Sequence, residues 1–118
     1  MNIKDVKAVL NHIAPLSLQE EWDNSGMQID TGREEINKIL VSLEITSEVI
    51  EEAIAAKAQM IVTHHPLIFH PVKRIQVDDV VGNYILRLIR AEIPVYSAHT
   101  CFDSAPGGNN EYILSNGI

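Results

Sequence analysis

Apolar and polar positions follow two rhythms along this chain, and each rhythm predicts a different kind of element. Near the start, Ile3, Val6, Val9, Leu10 and Ile13 recur at the spacing of one helix face. Asn2 is placed to cap that helix and Pro15 to stop it. From Lys38 onward, short apolar runs take turns with longer amphipathic stretches. Residues 39–43 read as a buried strand. The next stretch reads as a helix capped by Thr46, with Val49, Ile50, Ala53 and Ile54 on its inner face. Met60 to Val62 is the following strand, running into Thr63, His64 and His65. Residues 78–92 predict a second such helix, with Val81, Ile85, Leu88 and Ile89 inward. PVYSAHT (94–100) is then a third strand, and GGNNEYILS (107–115) opens a further helix.

Strand and helix in alternation are the signature of right-handed βαβ units. The expected fold class is therefore α/β, a layered sheet with a parallel core and helices packed on it. The less regular segment 16–32 is expected to add an edge hairpin or a loop over the sheet. No repeat, low-complexity tract or linker interrupts the pattern, so 1–118 reads as a single α/β domain. Its last apolar stretch runs to Ile118 without a stop signal, as in the front part of a longer protein.

Composition narrows the function classes. Apolar content of 46% and charged content of 21% suit a folded domain. A formal net charge of −7 speaks against nucleic acid or an anionic membrane as the main partner. A lone cysteine, Cys101, excludes an internal disulfide framework and fits a reducing compartment. No apolar run approaches the length of a membrane span, so a cytoplasmic protein is the default expectation.

The predicted topology then says where chemistry belongs. In an open parallel sheet, ligands collect outside the carboxyl ends of the strands. Those ends carry Glu44 after the first strand, His64 and His65 after the second, and His99 with Asp103 after the third. Neighbouring side chains in a regular strand point to opposite faces, but Pro66 ends regular pairing just after the two histidines. Their rings are then able to diverge, each toward a different metal of a close pair, with Asp103 completing a mixed nitrogen and oxygen site. The competing reading is a half-buried pair satisfied by backbone groups. Asp103 is expected in a small-residue loop leading to Gly107 and Gly108. His99 is expected to orient a ligand from behind, and Glu44 either faces the same cleft or caps the next helix. Cys101 is either a thiolate ligand or a small buried apolar residue. Trp22, Asp23, Asn24 and Gly26 offer an aromatic face beside polar groups, or simply an Asx-turn. His12 and His70 have no expected partners. Neither a nucleophile elbow nor a phosphate-binding glycine loop is present.

Taken together, EWDNSGMQI, VSLEITSEVIEEAI, MIVTHHPLIFHPVKRI and IPVYSAHTCFDSAPGGNNE follow the order and spacing of the NIF three-like family, also called GTP cyclohydrolase I type 2 homologs. The chain resembles the N-terminal portion of that family over nearly its whole length. The resemblance implies a two-lobed α/β protein, a dinuclear metal site and a toroidal homohexamer. It places metal ligands on His64, His65 and Asp103, with two further ligands, a histidine and a glutamate, in a C-terminal motif outside this sequence. It implies two divalent ions per full-length subunit, and these ligand types do not distinguish Zn, Fe, Mn, Co or Ni. The family commonly shows HTNLD where this chain has HTCFD, and an aspartate where Glu44 stands. The activity implied is metal-dependent hydrolysis of a nucleotide-like substrate such as GTP, with Lys73 and Arg74 either meeting phosphates or standing as solvated charges. The alternative is a non-catalytic metal-binding adaptor that works through protein contacts.

Overall fold

The computed structural model of the chain describes residues 1–104. The helix expected from Gly107 onward lies outside the described residues. Helix α1 (Ile3–Ile13) begins where the Asn2 side chain accepts from the Lys4 amide. Strand β1 (Gly26–Ile29) follows a single 3-10 turn at Leu16–Leu18. Two βαβ units come next: β2 (Ile39–Ser42), α2 (Ser47–Ala55), β3 (Met60–Thr63), α3 (Val80–Arg90) and β4 (Val95–Ser97). The described chain closes with a short helical turn, α4 (Thr100–Ser104). Thr46 caps α2 by accepting from Val49, and Asp79 caps α3 by accepting from Gly82.

Both longer crossover helices end alike. Lys57 and Glu92 take positive φ, and the next amide, of Ala58 or Ile93, returns to the carbonyl of Ala53 or Leu88. This is the Schellman closure, which satisfies the orphan carbonyls and turns the chain sharply into the following strand. Such economy sets β3 and β4 side by side.

The sheet order is β1-β4-β3-β2. Strands β2, β3 and β4 are parallel, as expected, while among the described residues β1 is an antiparallel edge strand on β4 rather than a hairpin. One face is sealed by α2 and α3, whose Ile50, Ala53, Ile85 and Leu88 pack on Ile61 and Val95. The other is covered by α1, through Ile3 and Val6, against Met60 and Tyr96. That second cover stops short of β2. Val41 is 74% exposed, and Ile39 and Leu43 are exposed too, so the expected buried strand is an open edge. Its apolar run reflects strand propensity, with no neighbour among the described residues covering one face. Val9, Ile13, Ile54 and Ile89, expected inward on their helices, are likewise exposed, because each helix stripe is wider than the ground beneath it.

Candidate metal centre

The site is built where β3 and β4 end. Thr63 and Ser97, paired across the two strands and both buried, share a hydrogen bond of 2.7 Å. The Thr63 hydroxyl also reaches the His65 carbonyl at 2.8 Å, two residues on. That short-range bond bends the backbone immediately after the strand, which is why the two adjacent imidazoles need not face opposite sides. Their ring centroids are 5.2 Å apart.

His64 is the more fixed of the two. Its Nδ1 lies 2.9 Å from the Ala98 carbonyl, which only accepts. The neutral ring therefore carries its proton on Nδ1, and Nε2 holds the lone pair. That Nε2 lies 3.5 Å from the Asp103 carboxylate. Asp103 sits on α4 rather than in the loop expected, because the chain turns helical directly after β4 and brings the carboxylate back over the end of β3. His65 is freer: its Nδ1 is 3.8 Å from Glu44, too long for a hydrogen bond, and the Glu44 side chain is 55% exposed. Glu44 thus leans toward the histidines, and the helix cap it might have supplied comes from Thr46.

His99 completes the group. Its ring lies 5.1 Å from that of His64 and 5.4 Å from that of His65. Behind it stands Asp23, whose side chain is 0% exposed. Asp23 accepts from His99 Nδ1 at 3.0 Å, from the Thr100 amide and hydroxyl, from the Ser25 hydroxyl and from the Asn24 amide. Burial pushes this carboxyl up, but the bonds from Thr100, His99 and Asn24 more than reverse that and hold it well below the usual carboxylate range. The chain enters β1 through Gly26 at φ +111, a conformation that favours glycine, and this lets residues 23–25 fold back over the end of β4. Asn24 and Gln28 then bind the backbone of Ile68, so the segment after the histidine pair is tied to β1. Phe69 comes to 6.0 Å from the exposed Trp22, which also stands edge-on to His99 at 6.1 Å.

Donor chemistry fits a divalent ion. The three histidines each offer a nitrogen, and these nitrogens lie within 4.8 Å of one another. Two nitrogens on one zinc ion, each at about 2.1 Å, are at most about 4.2 Å apart, so the cluster needs only small ring movements to close. Cys101 is a buried free thiol. His12 and His70 stand outside the cluster. Asp23, which also bonds its local turn, is the residue that sequence reasoning undervalued. The Thr63–Ser97 hydroxyl pair was missed altogether.

The chain resembles known proteins in sequence and in fold. The sequence profile of Duf34/NIF3 (NGG1p interacting factor 3) matches residues 1–116. A GTP cyclohydrolase 1 type 2 homolog of Clostridium perfringens is 40% identical over 114 residues, covering 97% of this chain and 44% of that protein. A GTP cyclohydrolase 1 type 2 of Helicobacter pylori is 43% identical over 101 residues, covering 86% of this chain and 41% of that protein. The crystal structure of a Bacillus cereus protein related to NIF3 superposes with a TM-score of 0.91 at 36% identity, covering 98% of this chain and 32% of that one. The chain thus spans less than half the length of each of these proteins, and by profile, sequence and fold it belongs to the Duf34/NIF3 family.

Proposed function

We propose that this chain is the metal-holding part of a metal-dependent hydrolase, with His64, His65 and Asp103 as ligands and a nucleotide-like molecule as substrate. The observation that carries this reading is the convergence of imidazoles and a carboxylate from β3, β4 and α4 on one sheet edge. A divalent ion held there would supply Lewis acidity and make a coordinated water easier to deprotonate. The protein's own groups prepare the place. Ala98 sets the His64 tautomer, and Thr63 holds the bend that brings both rings to one side. Trp22, edge-on to His99, and Phe69, tilted against Trp22, offer aromatic faces that suit a heterocyclic base. A groove of about 310 Å³ is lined by Phe69, His70, Lys73 and Arg74, and its two cations suit phosphate oxygens. The name of the Helicobacter pylori relative, GTP cyclohydrolase 1 type 2, supports a purine nucleotide.

Metal content tests the centre. The purified chain should retain near-stoichiometric divalent metal, lose it to a chelator and fail to recover it as His65→Ala. Metal-free protein that behaves identically to the variant would sink the reading. A second reading, a metal-binding adaptor, is favoured by the open apolar edge at Val41 and Leu43 and by the words "interacting factor" in the family description. Nucleotide turnover with metal added divides the two: hydrolysis supports the enzyme, and a flat result supports the adaptor. Full-length assembly into a ring of subunits belongs to the same proposal. No helix among the described residues is long and apolar enough to cross a membrane.

A further inference from the structure

The two βα connections at this edge of the sheet are unequal. After β2 the chain needs only residues 43–46 to reach α2, whereas after β3 it runs from His64 to Asp79 before α3 begins. Connections of the second kind are uncommon in α/β folds unless the loop has a task of its own. This one is strapped down near its start. Leu67 and Ile68 pack against the core that α2 and α3 share with the sheet. Both backbone groups of Ile68 are held by side-chain amides from β1 and the turn before it. The Ile68 carbonyl accepts from Asn24 Nδ2 at 2.6 Å, and the Ile68 N–H donates to Gln28 Oε1 at 2.9 Å. Gln28 is itself fixed, because its Nε2 donates to the Asn24 carbonyl at 2.7 Å and so turns Oε1 toward Ile68. Since β4 lies between β1 and β3, this amide clamp draws the loop across the end of β4.

What the clamp sets in place is an aromatic pair left at the surface. Phe69 follows Ile68 and meets Trp22 at 6.0 Å, the rings tilted by 44°. Trp22 is 59% exposed, yet the backbone beside it is pinned through Asp23, whose side chain is enclosed. A large ring left in water on a fixed backbone has already given up much of the freedom that binding would cost. Phe69 also lines the groove that carries Lys73 and Arg74, so a single molecule with a planar ring and an anionic tail matches both features.

We infer that Trp22 stacks the base of a purine nucleotide, and that Asn24 and Gln28 are positioning residues that hold Phe69 against it. This rests on the nucleotide reading above and deepens it, since recognition of the ring then falls to stacking on one residue and the amide clamp gains a part in binding.

Trp22 is the only tryptophan in the sequence, so tryptophan fluorescence reports on this position alone. GTP and inorganic triphosphate are titrated into the purified 118-residue chain, and GTP binding is measured separately by equilibrium dialysis. GTP should quench Trp22 saturably, and inorganic triphosphate should not. In dialysis Trp22→Leu should bind GTP about tenfold more weakly, the weight of one base stacked on an aromatic ring. Gln28→Leu keeps that ring but frees the loop. It should lower the fluorescence anisotropy of unliganded Trp22 and weaken GTP binding severalfold. If GTP binds but Trp22→Leu binds it equally well, or inorganic triphosphate quenches as strongly as GTP, the stacking role is overturned and the nucleotide reading stands. If Gln28→Leu matches the wild type in both anisotropy and affinity, the positioning role is overturned. If GTP does not bind at all, the nucleotide reading falls and takes the inference with it. Should Gln28→Leu fail to fold, Asn24→Ala, at an exposed position, removes the other half of the clamp and is read in the same way.

Discussion

Of the carboxylate–imidazole pairs at the cluster, those of Asp23 and Glu44 are built in opposite ways. Asp23 is enclosed, accepts five hydrogen bonds and grips His99 at 3.0 Å. Glu44 is mostly in solvent and stands 3.8 Å from His65. The two carboxylates occupy matching places in the chemistry, each beside a histidine at the sheet edge. Their energetic weight differs because a buried charge must be fully satisfied, whereas an exposed one is screened by water. The lesson is that one side of the site is rigid before any ligand arrives, and the other is free to adjust to one.

Removing the rigid anchor should have the largest effect. Asp23→Ala leaves the Thr100 and His99 donors without their shared acceptor and should cost about 3 kcal/mol in urea denaturation. A loss no greater than that of the corresponding Glu44 variant would erase the contrast. Next comes the hinge between the two sides. Ser97→Ala removes the buried partner of Thr63 and should cost about 1–2 kcal/mol by the same measurement, because it leaves a hydroxyl less well satisfied in the core.

Tyr96, two residues before Ala98, carries a smaller and oppositely signed expectation. Its hydroxyl is buried with no hydrogen-bond partner among the described residues, so Tyr96→Phe should be neutral or stabilising by up to about 1 kcal/mol. Burial, followed by the neighbouring Cys101, raises the Tyr96 phenol above its ordinary value of 10.0. The unfolded chain therefore releases this proton first as pH rises, and the stability tied to it is lost above about pH 10. Thermal melts from neutral to strongly alkaline pH should show the wild type falling away faster than Tyr96→Phe. Smallest of all, Glu44→Gln should change stability by less than about 0.5 kcal/mol. A loss comparable to that of Ser97→Ala would mean that Glu44 is as integral as Asp23.

Much of the fold was legible because it rests on local rules. Thr46 and Asn2 cap where capping chemistry placed them, and the alternation of strands and helices was enough to predict a parallel core. Placement of Glu44, His64, His65, His99 and Asp103 on one edge followed from topology, since the carboxyl ends of parallel strands share a side. What could not be read was what lies next to what. Ile39 and Val41 have a buried-strand composition, but only the end of the sheet beside them explains their exposure. Asp23 bonds Asn24, as an ordinary turn residue would, and this local bond masked its reach to His99. Thr63 and Ser97 are unremarkable in sequence and meet only because β3 and β4 are in register.

The reversed direction of β1 has a consequence for how the protein is made. Gly26 pairs with Ser97, and Asp23 is 76 residues from His99, so the anchor and the ring it holds emerge from the ribosome far apart in time. At about 5–20 residues per second, β1 waits several seconds for its partner strand β4. Non-local closure of this kind comes late, because the entropy of a long loop must be overcome before the contact forms. The histidine cluster consequently forms only after β4 has been made, and not with the first βαβ unit.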